Sequence, residues 1–279
     1  MRKIKRAIEI YRSRGMVELL QKFVFYLIFL FQKKNSDRVI KLKEDLKLSG
    51  IGLEIGVLVA PIIKKNESKV YYVDYFSAEQ LKENYKDDPI VDINKVEQVD
   101  FILSKTSYQE IKSQIGLVDY IVASHVFEHI PDPIGWLNEL SSILKPNGIL
   151  SLAIPDRRYM FDYYIKETTV TQLFSYRRLI RPSVNQVSNY FLNMCDVDPI
   201  GVWIQNYSKR KQMAFHSLEH ASDVILRAEK GEYINSHCTF WTCESFKEIF
   251  PKLQTPFEIY KIYEPMKFTN EFIVKLRKA

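Results

Sequence analysis

The side chains best suited to accept a proton all follow residue 124. They are His125, His129, Asp156, Asp162, His216, His220 and His237. A positioned base accelerates attack by a hydroxyl group because it removes the proton while the new bond forms. The spacing of these groups does not rank them sharply; we predict catalytic roles for His125, Asp156 and His237.

A run of polar and aromatic residues follows the apolar segment ILSLAIP. It contributes Asp156, Arg157, Arg158, Tyr159 and Asp162. Adjacent guanidinium groups suit a phosphate or carboxylate of a substrate because each can form paired hydrogen bonds with such a group. We therefore predict substrate contacts for Arg157, Arg158, Tyr159 and Asp162. A solvated pair with surface ion contacts is the alternative for the two arginines.

The histidine spacing also allows a metal site. The segment HSLEH places His216 and His220 one helical turn apart, and His237 and Cys238 follow later. Imidazole and thiolate groups are common ligands of zinc. The segment lacks the glutamate placement of a zinc-protease helix, so we predict no bound metal and assign His216 to substrate contact, with ordinary packing as the alternative.

The segment LEIGVLVAPI, residues 53–62, is typical of a nucleotide-binding strand and the loop after it. The glycines that normally follow Gly56 are absent, and Leu58 and Ala60 stand in this loop. Ala60 is small, so we expect the turn to direct Leu58 away from a cofactor. We also expect Pro61 to begin a helix.

Short apolar runs alternate with helical segments from residue 51 onward. The predicted strands cover residues 51–56, 69–75, 98–102, 118–124 and 149–155. This alternation predicts a parallel sheet covered by helices. The helix after the fourth strand has Asp132 as its N-cap, Pro133 at its first position and KPNG as its stop.

The C-terminal region predicts one more helix, over residues 241–250, and two strands over residues 257–265 and 270–278. The short connection between these strands permits only antiparallel pairing. The predicted fold class is therefore α/β, with a mostly parallel Rossmann-like sheet and a reversed C-terminal strand.

Residues 157–236 interrupt the alternation with a largely helical segment that is rich in aromatic and basic residues. We predict a Rossmann-like domain over 49–156 and 237–279, an inserted cap over 157–236 and an N-terminal helical extension over 1–48. Ligands bind outside the carboxyl ends of parallel strands, where this cap could close over them. A purely structural subdomain is the alternative.

Composition limits the partners and the compartment. The net charge of +6 is spread over 279 residues and is densest in the first 14, which argues against a nucleic-acid-binding protein. The three cysteines have no disulfide spacing, which suits a reducing cytoplasm. We predict a cytoplasmic protein, with a homodimer as an open possibility.

The N-terminal segment 16–34 is apolar with basic flanks, but its uninterrupted apolar run, residues 23–31, is too short to span a bilayer. We weigh two roles for it. One is an interfacial helix that contacts the inner face of the membrane. The other, which we favour, is packing on the main domain or in a dimer.

The segments LEIG, VYYVDY and VDYIVASHVFEHIPDPIGWLNELSSILKPNGILSLAIPDRRYMFD occur in this order. Together they resemble the class I S-adenosylmethionine-dependent methyltransferases, and in particular a bacterial group often found alongside glycosyltransferases. SHVFEHIPDP and LKPNG are the most specific parts. The resemblance covers residues 50–165 well and the C-terminal part only thinly.

The resemblance implies S-adenosylmethionine as the cofactor and assigns roles to individual residues. Glu54, Gly56, Ser124 and His125 fall where the family holds the methionine part. Asp74 falls where a carboxylate accepts hydrogen bonds from the ribose hydroxyls. Asp100 and Phe101 fall where the family holds the adenine ring.

Three function classes follow from these observations. The first is methyl transfer, with oxygen as the predicted acceptor atom, on a sugar or another polar metabolite, in keeping with surface-glycan biosynthesis. The second is a non-catalytic binding module of the same fold, which the missing glycines suggest. The third is a metal-dependent enzyme that uses the histidines of the cap.

Overall fold

The computed structural model describes residues 37–88, 91–197, 201–204 and 214–279. The N-terminal segment 16–34 lies outside these residues, so its membrane contact or packing stays a prediction. Within the described ranges, no helix is both long and apolar enough to cross a membrane.

Seven strands form one sheet. They are β1 (Ile51–Ile55), β2 (Lys69–Asp74), β3 (Phe101–Ile102), β4 (Val118–Ser124), β5 (Leu144–Pro155), β6 (Phe257–Tyr263) and β7 (Glu271–Lys278). Their order across the sheet is β3-β2-β1-β4-β5-β7-β6. The chain therefore moves outward from β1 to β3 and then returns to the other side of β1 with β4.

The first five strands pair in parallel, and β7 is antiparallel to both β5 and β6. The prediction of a mostly parallel sheet with a reversed C-terminal strand is confirmed. The reversed strand lies inside the sheet rather than at its edge, because the hairpin of β6 and β7 joins β5 through β7.

The described ranges contain nine α-helices. They are α1 (Asp37–Lys43), α2 (Ala78–Asn84), α3 (Tyr108–Ile115), α4 (Pro133–Ile143), α5 (Val170–Ser175), α6 (Val184–Asn193), α7 (Gly201–Ile204), α8 (Leu218–Glu229) and α9 (Cys243–Ile249).

The helix after the fourth strand is α4. Asp132 caps it as predicted, since its Oδ1 accepts a hydrogen bond from Gly135 N at 2.8 Å, and Pro133 is its first residue. The helix ends at Ile143, and the KPNG segment belongs to β5. The expectation that Pro61 begins a helix is wrong, because turns occupy this loop.

Both faces of the sheet are covered, so every residue of β4 before Ser124 is buried. Ile121 belongs to a large apolar cluster that includes side chains of α3, α4 and α9. Tyr120 belongs to a second cluster that includes Leu42 of α1. This two-sided burial explains why β4 is apolar without interruption from Tyr120 to Ala123 instead of alternating.

Helix α1 is attached to the sheet by a buried lysine. Nζ of Lys275, on β7, donates hydrogen bonds to the carbonyl oxygens of Leu42 at 2.8 Å and Glu44 at 2.6 Å. Ser151 of β5 donates to the same carbonyl of Leu42 at 2.9 Å. These contacts satisfy carbonyl groups at the helix end that lack a partner within the helix, and they place Arg38 beside the carboxyl end of β4.

Candidate functional site

A cavity of about 1400 Å³ opens at the carboxyl ends of the parallel strands. Gly56 of the first loop, Asp74 of β2, Ser124 of β4 and His125 line it. It lies where the strand order reverses between β1 and β4, which is where open α/β sheets bind ligands. Residues of the predicted cap also line the cavity, and they include Arg178, Tyr233 and Asn235.

Gly56 follows β1 at a point of close approach to the segment after β4. Its φ angle is +73°, and a Cβ atom here would lie 2.5 Å from Cγ2 of Val126. A side chain would therefore meet both a disfavoured backbone conformation and a steric clash. The glycine brings the backbone of the first loop to the cavity wall.

Glu54 organises this loop from beneath. Its buried carboxylate accepts hydrogen bonds from Ile62 N at 2.6 Å and Ile63 N at 2.8 Å. Burial raises the pKa of Glu54 to about 7, although both N–H groups act to lower it. Glu54 does not line the cavity. The prediction of a direct cofactor contact is corrected here: Glu54 holds the loop that carries Gly56.

The turn at Leu58 differs from the expectation that this residue is directed away from a cofactor. Its φ angle is +49°, and the residue is among those that line the cavity. Its carbonyl oxygen accepts a hydrogen bond from Glu97 N at 2.8 Å, which holds the turn in place. A leucine thus occupies a left-handed position where such loops usually have glycine.

The loop anchor yields a first prediction. In Glu54→Gln, the amide nitrogen faces one of the two N–H groups, which then lacks an acceptor. We expect a loss of about 1–3 kcal/mol in the free energy of unfolding, measured with denaturant. Cofactor affinity should fall as well, because Gly56 and Leu58 line the cavity. Glu67→Gln, at an exposed carboxylate that accepts from Lys64 N, is the control; equal stability of the two variants would contradict the anchor role.

The end of β2 brings an acid and aromatic rings to the cavity. Asp74 is partly buried, burial raises its pKa, and its Oδ1 accepts from Phe76 N at 3.1 Å. Tyr75 stacks on Tyr233 of the cap with ring centroids 5.0 Å apart, and Phe76 meets Tyr233 edge-on at 6.0 Å. This aromatic wall joins the sheet to the cap beside a carboxylate.

Asp100 and Phe101 do not line the cavity. The carboxylate of Asp100 accepts from Tyr72 N at 2.7 Å and pairs with Lys65 Nζ at 2.8 Å, and Phe101 packs on Tyr71. The adenine prediction is corrected for a geometric reason. β3 has only two residues and begins after Asp100, so Leu103 and its successors, not Asp100, stand at its carboxyl end.

The end of β4 carries a polar network that crosses the sheet. His125 has a left-handed φ of +54°, and its Nε2 lies 2.7 Å from Oε2 of Glu271 on β7. Arg38 of α1 pairs with the same carboxylate and donates to Oγ of Ser124 at 2.5 Å. Ser124 and His125 are thus brought together at the cavity as predicted.

The charges of this network support each other. Burial acts to raise the pKa of Glu271, but His125 and Arg38 outweigh it and lower the pKa to about 2. Burial acts to lower the pKa of His125, but the contact with Glu271 raises it. Sequence reasoning missed Arg38 and Glu271. The sequence did hold a signal for Glu271: it is an acid near the start of the predicted strand 270–278, and acids are disfavoured in strands.

Asp156 and the two arginines that follow it do not line the cavity. Asp156 is fully buried, accepts from Cys243 N at 3.1 Å and is held by Arg158 at 2.6 and 2.8 Å. Arg157 donates to the carbonyl of Tyr163 at 2.6 Å and pairs with Glu167 at 2.9 Å. The predictions of catalysis for Asp156 and of substrate contact for the arginines are corrected: these groups fasten the cap to α9 and the sheet.

The remaining predicted residues are also placed outside the cavity lining. Tyr159 stacks on Trp203 with centroids 3.9 Å apart. His216 stacks on Phe191 at 5.2 Å. Neither side chain is among those that line the cavity, so neither is carried forward as a substrate contact.

His237 and Asp162 form a buried pair, with His237 Nδ1 and Asp162 Oδ2 at 2.6 Å. Neither lines the cavity, but His129, whose ring lies 4.7 Å from that of His237, does. The alternative metal site of the sequence is not assembled in the described residues. His220 lies by His216, and burial raises the pKa of the Cys238 thiol to about 12.

The rim of the cavity includes a basic turn of the cap. Arg178 is exposed with a φ angle of +68°, and its N–H donates to Oδ2 of Asp132 at 2.8 Å. Asp132 therefore has two roles: one carboxylate oxygen caps α4 and the other holds this turn. Ile180, which also lines the cavity, is 90% exposed.

Comparison with known proteins adds family and fold information. A family model described as a methyltransferase domain matches residues 26–254. No curated protein matches the chain.

Solved structures include several similar chains. A possible histamine N-methyltransferase from Thermotoga maritima is 15% identical, with 99% of this chain and 96% of that chain covered and a TM-score of 0.40. Magnesium protoporphyrin IX methyltransferase from Synechocystis PCC 6803 is 13% identical, with coverages of 100% and 95% and a TM-score of 0.39. The CurJ carbon methyltransferase is 14% identical, with a TM-score of 0.39. The match covers 99% of this chain and 58% of that chain.

These structural likenesses are too distant to assign an acceptor, so the family match carries the assignment. It spans most of the chain, and the strand order agrees with the resemblance found in the sequence. The chain belongs to the methyltransferase-domain family and is a class I S-adenosylmethionine-dependent methyltransferase.

Proposed function

We propose that this protein is an O-methyltransferase that acts on a hydroxyl group of a sugar or a related polar metabolite. The observation that carries the proposal is the pair of His125 and Glu271 at the cavity wall, 2.7 Å apart. An imidazole oriented by a carboxylate is a common base for hydroxyl nucleophiles.

The residues at the strand ends fit the cofactor. Gly56 lets the backbone approach a ligand closely, and Asp74 presents a carboxylate whose acceptor oxygens suit a ribose diol. Tyr75 and Phe76 offer aromatic surface beside it. When bound, S-adenosylmethionine supplies a methyl group on a good leaving group, so the protein contributes mainly alignment and proton removal.

The two ring nitrogens of His125 have different roles, one in orienting the ring and one in accepting the proton. Its Nε2 is engaged by Glu271, which leaves Nδ1 to accept a proton from an acceptor hydroxyl. Nδ1 lies 3.7 Å from Oε1 of Glu128, beyond hydrogen-bond distance. Arg38, which also pairs with Glu271, keeps the carboxylate in place while His125 takes up the proton.

Basic groups at the cavity support an acceptor that carries an anionic group. Lys105 and Arg178 line the cavity, and the Arg178 side chain is exposed at the rim. A guanidinium group suits the phosphate of a nucleotide-linked or lipid-linked sugar. The resemblance to methyltransferases found beside glycosyltransferases supports the same acceptor class and a role in surface-glycan synthesis.

A binding module without catalysis is the second candidate. The observation in its favour is Leu58, which replaces the usual glycine of this loop and is among the residues that line the cavity. The two candidates differ in whether a methyl group leaves the protein on an acceptor.

Methyl transfer can be tested with S-adenosylmethionine that carries a labelled methyl group and a panel of nucleotide sugars and glycosides. We expect label on one hydroxyl of an acceptor and none on the matched deoxy analogue that lacks that hydroxyl. Label on amine acceptors alone would contradict O-methylation. Cofactor binding in calorimetry without any transfer would favour the binding module.

A further inference from the structure

A buried group of side chains with metal-binding chemistry lies beside the cavity and has no part in the proposed proton transfer. Glu128, His129 and His237 each offer one ligand atom, and these atoms lie within 4.8 Å of one another. Glu128 and His129 belong to the turn after β4, whereas His237 directly follows the predicted cap in the sequence.

Glu128 is the main anomaly of this group. The residue is only 1% exposed, and neither carboxylate oxygen has a hydrogen-bond partner among the described residues. Nδ1 of His129 is buried and likewise lacks a partner within those ranges. Buried polar groups are nearly always hydrogen-bonded, and an unpaired buried carboxylate is costly. A cation between these groups would satisfy both.

Nearby histidines do not satisfy Glu128 by themselves. His125 Nδ1 is 3.7 Å and His129 Nε2 is 3.8 Å from Oε1 of Glu128. Both distances exceed that of a hydrogen bond.

His237 is oriented as metal-binding histidines usually are. Its Nδ1 contacts Oδ2 of Asp162 at 2.6 Å, which leaves Nε2 as the free ring nitrogen. A carboxylate on the far nitrogen fixes the tautomer and the ring direction of a ligating histidine. Packing against Tyr190, with centroids 5.0 Å apart, further restrains the ring.

We propose that Glu128, His129 and His237 bind a divalent transition-metal ion, with Asp162 as the positioning residue of His237. Two imidazoles and one carboxylate are a ligand set that suits zinc and leaves a coordination position open. A tetrahedral ion with bonds of about 2.1 Å needs ligand atoms about 3.4 Å apart, so small side-chain movements suffice. His129 lines the cavity, and the ion therefore lies at its wall.

The test uses the full chain after dialysis against a chelator, so it requires neither an acceptor nor methyl transfer. Titration calorimetry with Zn²⁺, Mn²⁺ and Mg²⁺ should show one site per chain, with Zn²⁺ bound more tightly than Mn²⁺. Glu128→Gln and His237→Ala should each weaken Zn²⁺ binding at least about tenfold, and Asp162→Asn about 10–100-fold. Co²⁺ should give the visible absorption of a tetrahedral site in wild-type protein and lose it in these variants.

The matched control is the other histidine pair, His216→Ala with His220→Ala, which should leave Zn²⁺ affinity unchanged. The proposal is overturned if wild-type protein binds neither Zn²⁺ nor Mn²⁺, or if the control variant loses binding while Glu128→Gln keeps it. Thermal unfolding with and without Zn²⁺ guards against misfolding, because bound metal raises the Tm only where the site exists. If Glu128→Gln is unfolded, Asp162→Asn decides the question alone.

Discussion

Replacing His125 by asparagine should lower kcat by about 10²–10⁴-fold, the usual contribution of a general base. Asparagine is the variant of choice because the φ angle of +54° is left-handed, a conformation that asparagine tolerates better than alanine does. The variant removes the basic nitrogen, while Arg38 still pairs with Glu271. The measurement is the initial rate at saturating cofactor and acceptor.

His216→Asn is the control for this prediction, since His216 stacks on Phe191 away from the cavity. Cofactor affinity should stay nearly the same in both variants, because proton removal acts on the acceptor. A kcat of His125→Asn close to that of wild-type protein would exclude His125 as the base. A loss of cofactor affinity as large as the loss of kcat would reassign His125 to cofactor binding.

Replacing Asp74 by asparagine should weaken S-adenosylmethionine binding about 10–100-fold. A carboxylate offers only acceptors to a ribose diol, whereas an amide turns one acceptor into a donor. Hydrogen bonds to a charged group contribute about 1.5–3 kcal/mol, which corresponds to this range of affinity. Calorimetry of the folded variant measures the effect directly.

Asp100→Asn is the matched control, because it changes the same chemical group just before the neighbouring strand β3 and outside the cavity lining. Its amide oxygen can still accept from Tyr72 N, so the fold should persist. We expect its cofactor affinity to stay within about threefold of wild type, since surface substitutions rarely exceed 0.5 kcal/mol. Equal affinities of Asp74→Asn and Asp100→Asn would remove Asp74 from the ribose role.

Sequence patterns predicted the sheet well because strand signals are local. The alternation of apolar runs, the cap at Asp132 and the short connection of the last two strands each depend on neighbouring residues. The same logic placed Gly56, Asp74 and His125 at one edge, since the carboxyl ends of parallel strands share it. Asp100 failed because the start of a two-residue strand cannot be located from an apolar run.

Contacts between distant parts of the chain were beyond the same reasoning. Arg38 and Glu271 meet across 233 positions, and no local pattern joins them. Arg158 looked available for a substrate because its partner Asp156 was read as a separate catalytic group, whereas the two bind each other within one turn. A cofactor contact was predicted for Glu54, but its carboxylate oxygens bind the backbone of the following loop. The path of this loop includes the left-handed Leu58 instead of glycines, which the sequence did not reveal.

The buried amine of Lys275 bears on how far this chain can be shortened. It ties the carbonyl groups of Leu42 and Glu44 to the last strand, so the helix that carries Arg38 is built into the sheet. A truncated chain that starts at residue 49 would remove both acceptors of Lys275 and would free Glu271 from Arg38. A unit that folds independently therefore has to include residues 37–48, which link the last strand to the cavity through Arg38.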